Sequence, residues 1–86
     1  MKNSFTVFIG DHTEKTTVIT GVTSIMPNLN GFLFNTEDGL GFQIEHHELV
    51  EGGISNIAFE YDYTEDDINN LRELPQYEIH DHKANI

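Results

Sequence analysis

The chain has 86 residues, 15 of them acidic and 4 basic, for a formal net charge of −11. That length suits one small domain, residues 1–86, with a modest core. The charge repels nucleic acid and anionic membrane and attracts a basic partner, and the absence of Cys excludes disulfides and thiolate metal sites.

Phe5, Val7 and Ile9 alternate with Thr6 and Phe8, which is the spacing of a strand. Gly10-Asp11 opens a polar turn running to Lys15. Thr16–Ile25 is rich in β-branched residues and reads as a second strand. Gly21 lies in its middle, where a bulge or bend would switch the inward set. Asn30-Gly31 is a turn dipeptide before a short strand at Phe32–Phe34. Glu37-Asp38-Gly39 turns the chain again, and Leu40, Phe42 and Ile44 read as the buried side of the next strand. Glu45–Glu51 fits either a strand extension or one helical turn stopped by Gly52-Gly53. Ile57, Phe59, Tyr61 and Tyr63 alternate with polar residues and Ala58 as a half-buried strand. Thr64 has the character of an N-cap, and Glu65, Asp66 and Asp67 then complement the dipole of a helix. Ile68, Leu71 and Leu74 give that helix an apolar side, Pro75 ends it, and Tyr77 and Ile79 suggest a last strand.

These elements predict an α+β domain, mainly antiparallel β: a curled sheet or small barrel of about six strands with one short helix. The expected core is Phe5, Val7, Phe32, Phe34, Leu40, Phe42, Ile44, Ile57, Phe59, Ile68, Leu71 and Ile79. Only 37% of the residues are hydrophobic, but their alternating runs argue for a sheet and against a disordered acidic tail. No run approaches the ~18 apolar residues of a membrane span. The first residues lack the apolar segment of a signal peptide. The expectation is a soluble cytoplasmic protein.

Catalytic patterns are absent from the sequence. Ser4, Ser24 and Ser55 are its only serines, and none sits in a Gly-x-Ser-x-Gly elbow or beside a His. Gly39-Leu40-Gly41 lacks the later Gly and Lys of a phosphate loop. His47-Glu48-Leu49-Val50-Glu51 has Glu where a zinc-protease helix needs its second His. The expectation is therefore a protein that is not an enzyme. Metal binding is a separate matter. His80 and His82 stand two apart on a strand, so both point to one face, and His46 and His47 close another strand. Imidazole is a common zinc ligand and zinc accepts a carboxylate beside it. These four His are the candidate zinc ligands; plain solvated surface histidines are the simpler alternative.

The distribution of charge is more unusual than its total. From Thr16 to Leu71 there is no Lys or Arg, while Glu37, Asp38, Glu45, Glu48, Glu51, Glu60, Asp62, Glu65, Asp66 and Asp67 are all acidic. The densest part is Glu60, Asp62, Glu65, Asp66 and Asp67. On a strand, Glu60 and Asp62 project from one face about 6.6–6.8 Å apart, close to two phosphate rises of about 3.4 Å in a nucleic-acid strand. A well-capped helix on a soluble surface accounts for Glu65–Asp67 without any partner. It accounts less well for the missing counter-charges, since ordinary surfaces mix both signs.

By size, acidity and compact mixed architecture, with the Glu60–Asp67 cluster as its local feature, the chain resembles the small phage-encoded inhibitors of host defence. These include DNA-mimicking proteins and anti-CRISPR proteins that block RNA-guided nucleases. The resemblance implies a non-enzymatic binder, in the host cytoplasm, that occupies a basic nucleic-acid-handling protein and touches neither nucleic acid nor membrane itself. A small zinc-binding or accessory structural module is the alternative, for which exposed Phe or Tyr at strand edges would serve as anchors.

Overall fold

The computed structural model describes residues 4–48, 57–61 and 63–84. Along the chain come β1 (Phe5–Ile9), β2 (Thr16–Pro27), β3 (Gly31–Thr36), β4 (Phe42–Glu45), β5 (Ile57–Glu60), the helix α1 (Glu65–Arg72) and β6 (Tyr77–His80). Five strands lie side by side in the order β4-β3-β2-β1-β5, and β6 adds to β2. Every neighbouring pair is antiparallel except β2 and β6, which run parallel with Thr16 opposite Tyr77 and Ile19 opposite His80. The mainly antiparallel sheet of six strands is as the sequence suggests, and it is curled and open. No pairing closes it into a barrel among the described residues.

The parallel strand follows from the connection. β5 is antiparallel to β1, and β1 to β2, so β5 and β2 point the same way. A crossover through α1 then delivers β6 parallel to both, whereas a tight hairpin would have made it antiparallel. The strand β2 is long enough to hold β6 along Thr16–Ile19 and β3 along Val22–Pro27 on the same edge. It bends between them: the register against β1 shifts between Phe5 and Val7, and that against β3 between Val22 and Ser24. Gly21 makes the bend at φ +69°. Its missing Cβ is what lets the chain beyond β6 cross over it, because a methyl there would lie 2.7 Å from the His82 carbonyl oxygen. The inward set does switch at Gly21, from Ile19 to Val22, and switches again to reach Ile25.

Each face of the sheet has its own core. Val7, Ile9, Ile19, Val22, Phe34 and Ile44 fill the first face, with Phe5, Ile25, Phe32, Phe42 and Ile57 packed against them. Phe8 and Val18 fill the second beneath Ile68 and Leu71 of α1. The expected core leaves out Phe8 and Val18, which alternate with residues of the first face. The helix covers the second face and buries Phe8 and Val18, while Ile9, Ile19 and Val22, also missing from the expected core, are buried on the first face. Two expected core residues are corrected in the opposite sense. Leu40 is 80% exposed, because the turn after β3 extends to Gly41 and the Asp38 carboxylate accepts the Leu40 N–H within it. Phe59 is 49% exposed, because β5 is the end strand of the sheet among the described residues. Phe5, Phe32, Phe42, Ile57 and Ile79 are half-buried. Leu74 is also substantially exposed, beyond the end of α1.

Residues 46–48 are helical, and the Glu48 carboxylate accepts the Glu45 N–H at 2.7 Å. The remainder of the Glu45–Glu51 segment lies outside the described residues. Among the described residues no helix is long and apolar enough to cross a membrane.

Candidate functional site

Glu60 is the last residue of β5, opposite Thr6 of β1, and is exposed. Four residues on, Thr64 caps α1 as the sequence suggests. Its hydroxyl oxygen accepts the Asp67 N–H at 3.2 Å. In return the Asp67 carboxylate accepts the Thr64 N–H and hydroxyl, each at 2.9 Å. This reciprocal box satisfies two end groups of the helix. It also holds the Asp67 carboxyl below its usual range, first through the Thr64 N–H and then through the Thr64 hydroxyl. Tyr63 lies between Glu60 and Asp67 in the chain and is half-buried, with its ring 5.2 Å from that of Phe8. Burial pushes that phenol up, and the charges of Asp67 and Glu60 add to the effect. The end of β5 and the start of α1 therefore make one negative rim.

The predicted acidic set divides. Asp67 is committed to the helix cap. Glu65 and Asp66 stand exposed in the first turn. Among the described residues, Glu60, Glu65 and Asp66 have no ion-pair partner, whereas Lys15 pairs with Glu78 at 3.3 Å and Arg72 with Asp81 at 3.2 Å. Asp62 lies outside the described residues. Beside the rim stands a feature the periodicity assigns to the core. Phe59 and Tyr61 both rest on Phe5, with ring centroids 5.7 and 5.3 Å away, and Tyr61 is 66% exposed. The signal for it is the position of Phe59 in a strand at the edge of the sheet, and strand order cannot be read from periodicity.

The four candidate zinc ligands fall in two places. His80 and His82 do share a face, and both rings meet Phe42, at centroid distances of 4.5 and 5.8 Å. The His82 Nδ1 lies 2.8 Å from Asp38 Oδ2. The Asp38 carboxyl is held low by the Thr36 hydroxyl first, then by the Leu40 N–H, with His82 contributing. The His80 Nε2 is 3.8 Å from Glu78 Oε1. Phe42 is the first residue of β4, while His46 follows its last, packing edge-on to Phe32 at 5.9 Å. His47 is exposed. Among the described residues no three His, Asp or Glu side chains are grouped to hold a metal ion.

One cavity of about 230 Å³ opens on the first face. Its floor is Ile9, Phe42 and Ile44, and its rim carries Lys15, Glu48, Glu78 and His80. It is smaller than the ~300–1,000 Å³ of most small-molecule sites, and its Lys15 and Glu78 neutralise one another. Comparison with protein-family models, with curated proteins and with solved structures finds no match to this chain.

Proposed function

We propose that this chain is a non-enzymatic acidic binding protein that inhibits or occupies a basic nucleic-acid-handling protein in the cytoplasm, in the manner of an anti-CRISPR or DNA-mimicking inhibitor. The observation that carries this reading is the rim at the end of β5 and the start of α1. Glu60, Glu65 and Asp66 are exposed there without cationic partners among the described residues, in a sequence that holds no Lys or Arg from Thr16 to Leu71. Unneutralised carboxylates repel one another, and a basic surface relieves that repulsion on contact. Such a partner associates quickly at low salt and more slowly as salt screens the attraction.

The test is a titration against an RNA-guided nuclease, with and without its guide and target. Competition with the nucleic acid identifies a mimic, and binding to both forms identifies an allosteric inhibitor. Neutralising Glu60, Glu65 and Asp66 together, as Gln, Gln and Asn, weakens binding and flattens its salt dependence. Glu14→Gln serves as the control, since Glu14 lies past the other end of β1 from Glu60. Binding that ignores both salt and these carboxylates would sink the reading.

The shared face of His80 and His82 favours a second reading, a small zinc-binding or accessory module. Elemental analysis of untagged protein decides it. About one equivalent of zinc, bound less tightly as pH falls because protonated imidazole does not coordinate, supports this reading; zinc far below that leaves the histidines without a metal role.

A further inference from the structure

A strand at the end of a sheet presents a row of N–H and C=O groups to whatever approaches. β5 has that position, and among the described residues nothing pairs with its outer edge. The side chains along it are unusual for an exposed edge. Phe59 and Tyr61 each pack on the ring of Phe5 at the end of the first face. Glu60, one residue along, has the parity of Ala58, which packs under α1 on the second face. Glu65 and Asp66 follow on that side at the start of α1. β5 thus offers apolar surface on one face and negative charge on the other.

Residues directly opposite each other on paired strands share a face, and successive residues alternate. A strand added to β5 therefore meets Phe59 and Tyr61 with every second side chain and Glu60 with the ones between. A second copy of this chain fits poorly. Each copy has a net charge of −11, and pairing two such edges sets like charges against each other. Complementarity selects a basic partner, and Arg suits it because a guanidinium both pairs with carboxylates and stacks on aromatic rings.

We infer that β5 takes up, as an added strand, an extended segment of a basic protein in which apolar residues alternate with Arg or Lys. This rests on the acidic-binder reading and specifies how the partner is held: backbone pairing supplies affinity, and the alternating side chains supply register.

Synthetic peptides test it with the isotope-labelled chain in solution NMR. One peptide alternates Val and Arg; a second has the same residues in two blocks; two more carry the alternating sequence with N-methyl groups on the odd or on the even amides. The alternating peptide is expected to shift the Ile57–Glu60 amides and slow the hydrogen exchange of those that point away from β1. The blocked isomer binds about tenfold more weakly or worse, and only one of the two methylated peptides loses binding, because one edge of the added strand faces β5. Phe59→Thr with Tyr61→Thr loses about tenfold in affinity for the alternating peptide, as expected of anchor side chains, while the rest of the amide spectrum shows an intact fold. Equal, salt-sensitive binding of alternating and blocked peptides, or shifts confined to α1, overturns the added strand and leaves the acidic binder standing. Absence of salt-sensitive binding to any of these basic peptides overturns both.

Discussion

At the scale of single residues, Thr20 holds more together than any ion pair described. It is fully buried. Its hydroxyl donates to Asp81 Oδ1 at 2.6 Å and accepts the His82 N–H at 3.0 Å, and Arg72 of α1 reaches the other Asp81 oxygen at 3.2 Å. Burial works to raise the Asp81 pKa, but Thr20, the Lys83 N–H and the charges of Arg72 and Lys83 outweigh it, so the group is held low. Thr20→Val keeps the shape and leaves the His82 N–H without its acceptor, which should cost about 1–3 kcal/mol in urea unfolding. Arg72→Ala breaks a half-exposed salt bridge and should cost less than about 1 kcal/mol. The reverse order of these two effects would show that the helix is tied down by charge. Nothing in the sequence announces this link, because Thr20 and Asp81 are 61 positions apart and each looks like an ordinary polar residue on a strand or tail.

At the scale of elements, the bend in β2 and the cap of α1 invite direct tests. Gly21 and Gly39 both have positive φ, +69° and +79°, so Ala at either carries backbone strain of about 1–3 kcal/mol. They differ in surroundings. A Cβ at Gly39 meets nothing within 4 Å, while one at Gly21 strikes backbone atoms of His82 and Lys83. Gly21→Ala should therefore destabilise more than Gly39→Ala and also detach the tail, read as faster hydrogen exchange of the Asp38 N–H, which donates to the His82 carbonyl at 3.2 Å. Equal losses would mean that the tail does not depend on that close approach. Thr64→Ala removes the helix cap and should cost about 1 kcal/mol. These examples also mark what the sequence makes legible. The cap, the break at Gly21 and most strand positions are local patterns, and the structure follows them. Phe8, Leu40 and Phe59 are misread because the pattern records alternation without recording which face a helix will cover, where a turn ends, or which strand ends the sheet. The parallel pairing of β6 is likewise a property of the crossover, invisible in Tyr77–His80 itself. Of the candidate site, the acidic cluster is legible as charge; that Asp67 is spent on a cap while Glu60 stands beside exposed rings is not.

At the scale of the whole molecule, two electrostatic effects pull stability in opposite directions as pH falls. The formal net charge of −11 at pH 7 is confined to a body 33 Å in its longest dimension. At 0.01 M salt the Debye length is about 30 Å, so nearly all the charges repel one another, whereas at 0.15 M it is about 8 Å. Raising salt at pH 7 should therefore raise the unfolding midpoint. Acidification toward the pI of about 4.5 removes the same repulsion and should stabilise as well. The opposing effect comes from Asp11, Asp38, Asp67 and Asp81, whose carboxyls are all held below their ordinary value in the folded chain. A depressed folded pKa contributes stability above the unfolded value of about 3.9, and that contribution is lost as pH falls through the folded pKa. The two effects together place the stability maximum between about pH 4.5 and 6 at low salt, with a steep fall below about pH 4. Added salt should flatten the rise between pH 7 and 5 and leave the acid fall in place, because hydrogen bonds from Thr20, Thr36 and Thr64 do most of the lowering. Thermal unfolding across pH at two salt concentrations measures both limbs. A maximum at or above pH 7 that does not move with salt would mean that the acidic rim is not under repulsive strain. The relief of that strain could then not be what draws a basic partner to the edge of β5.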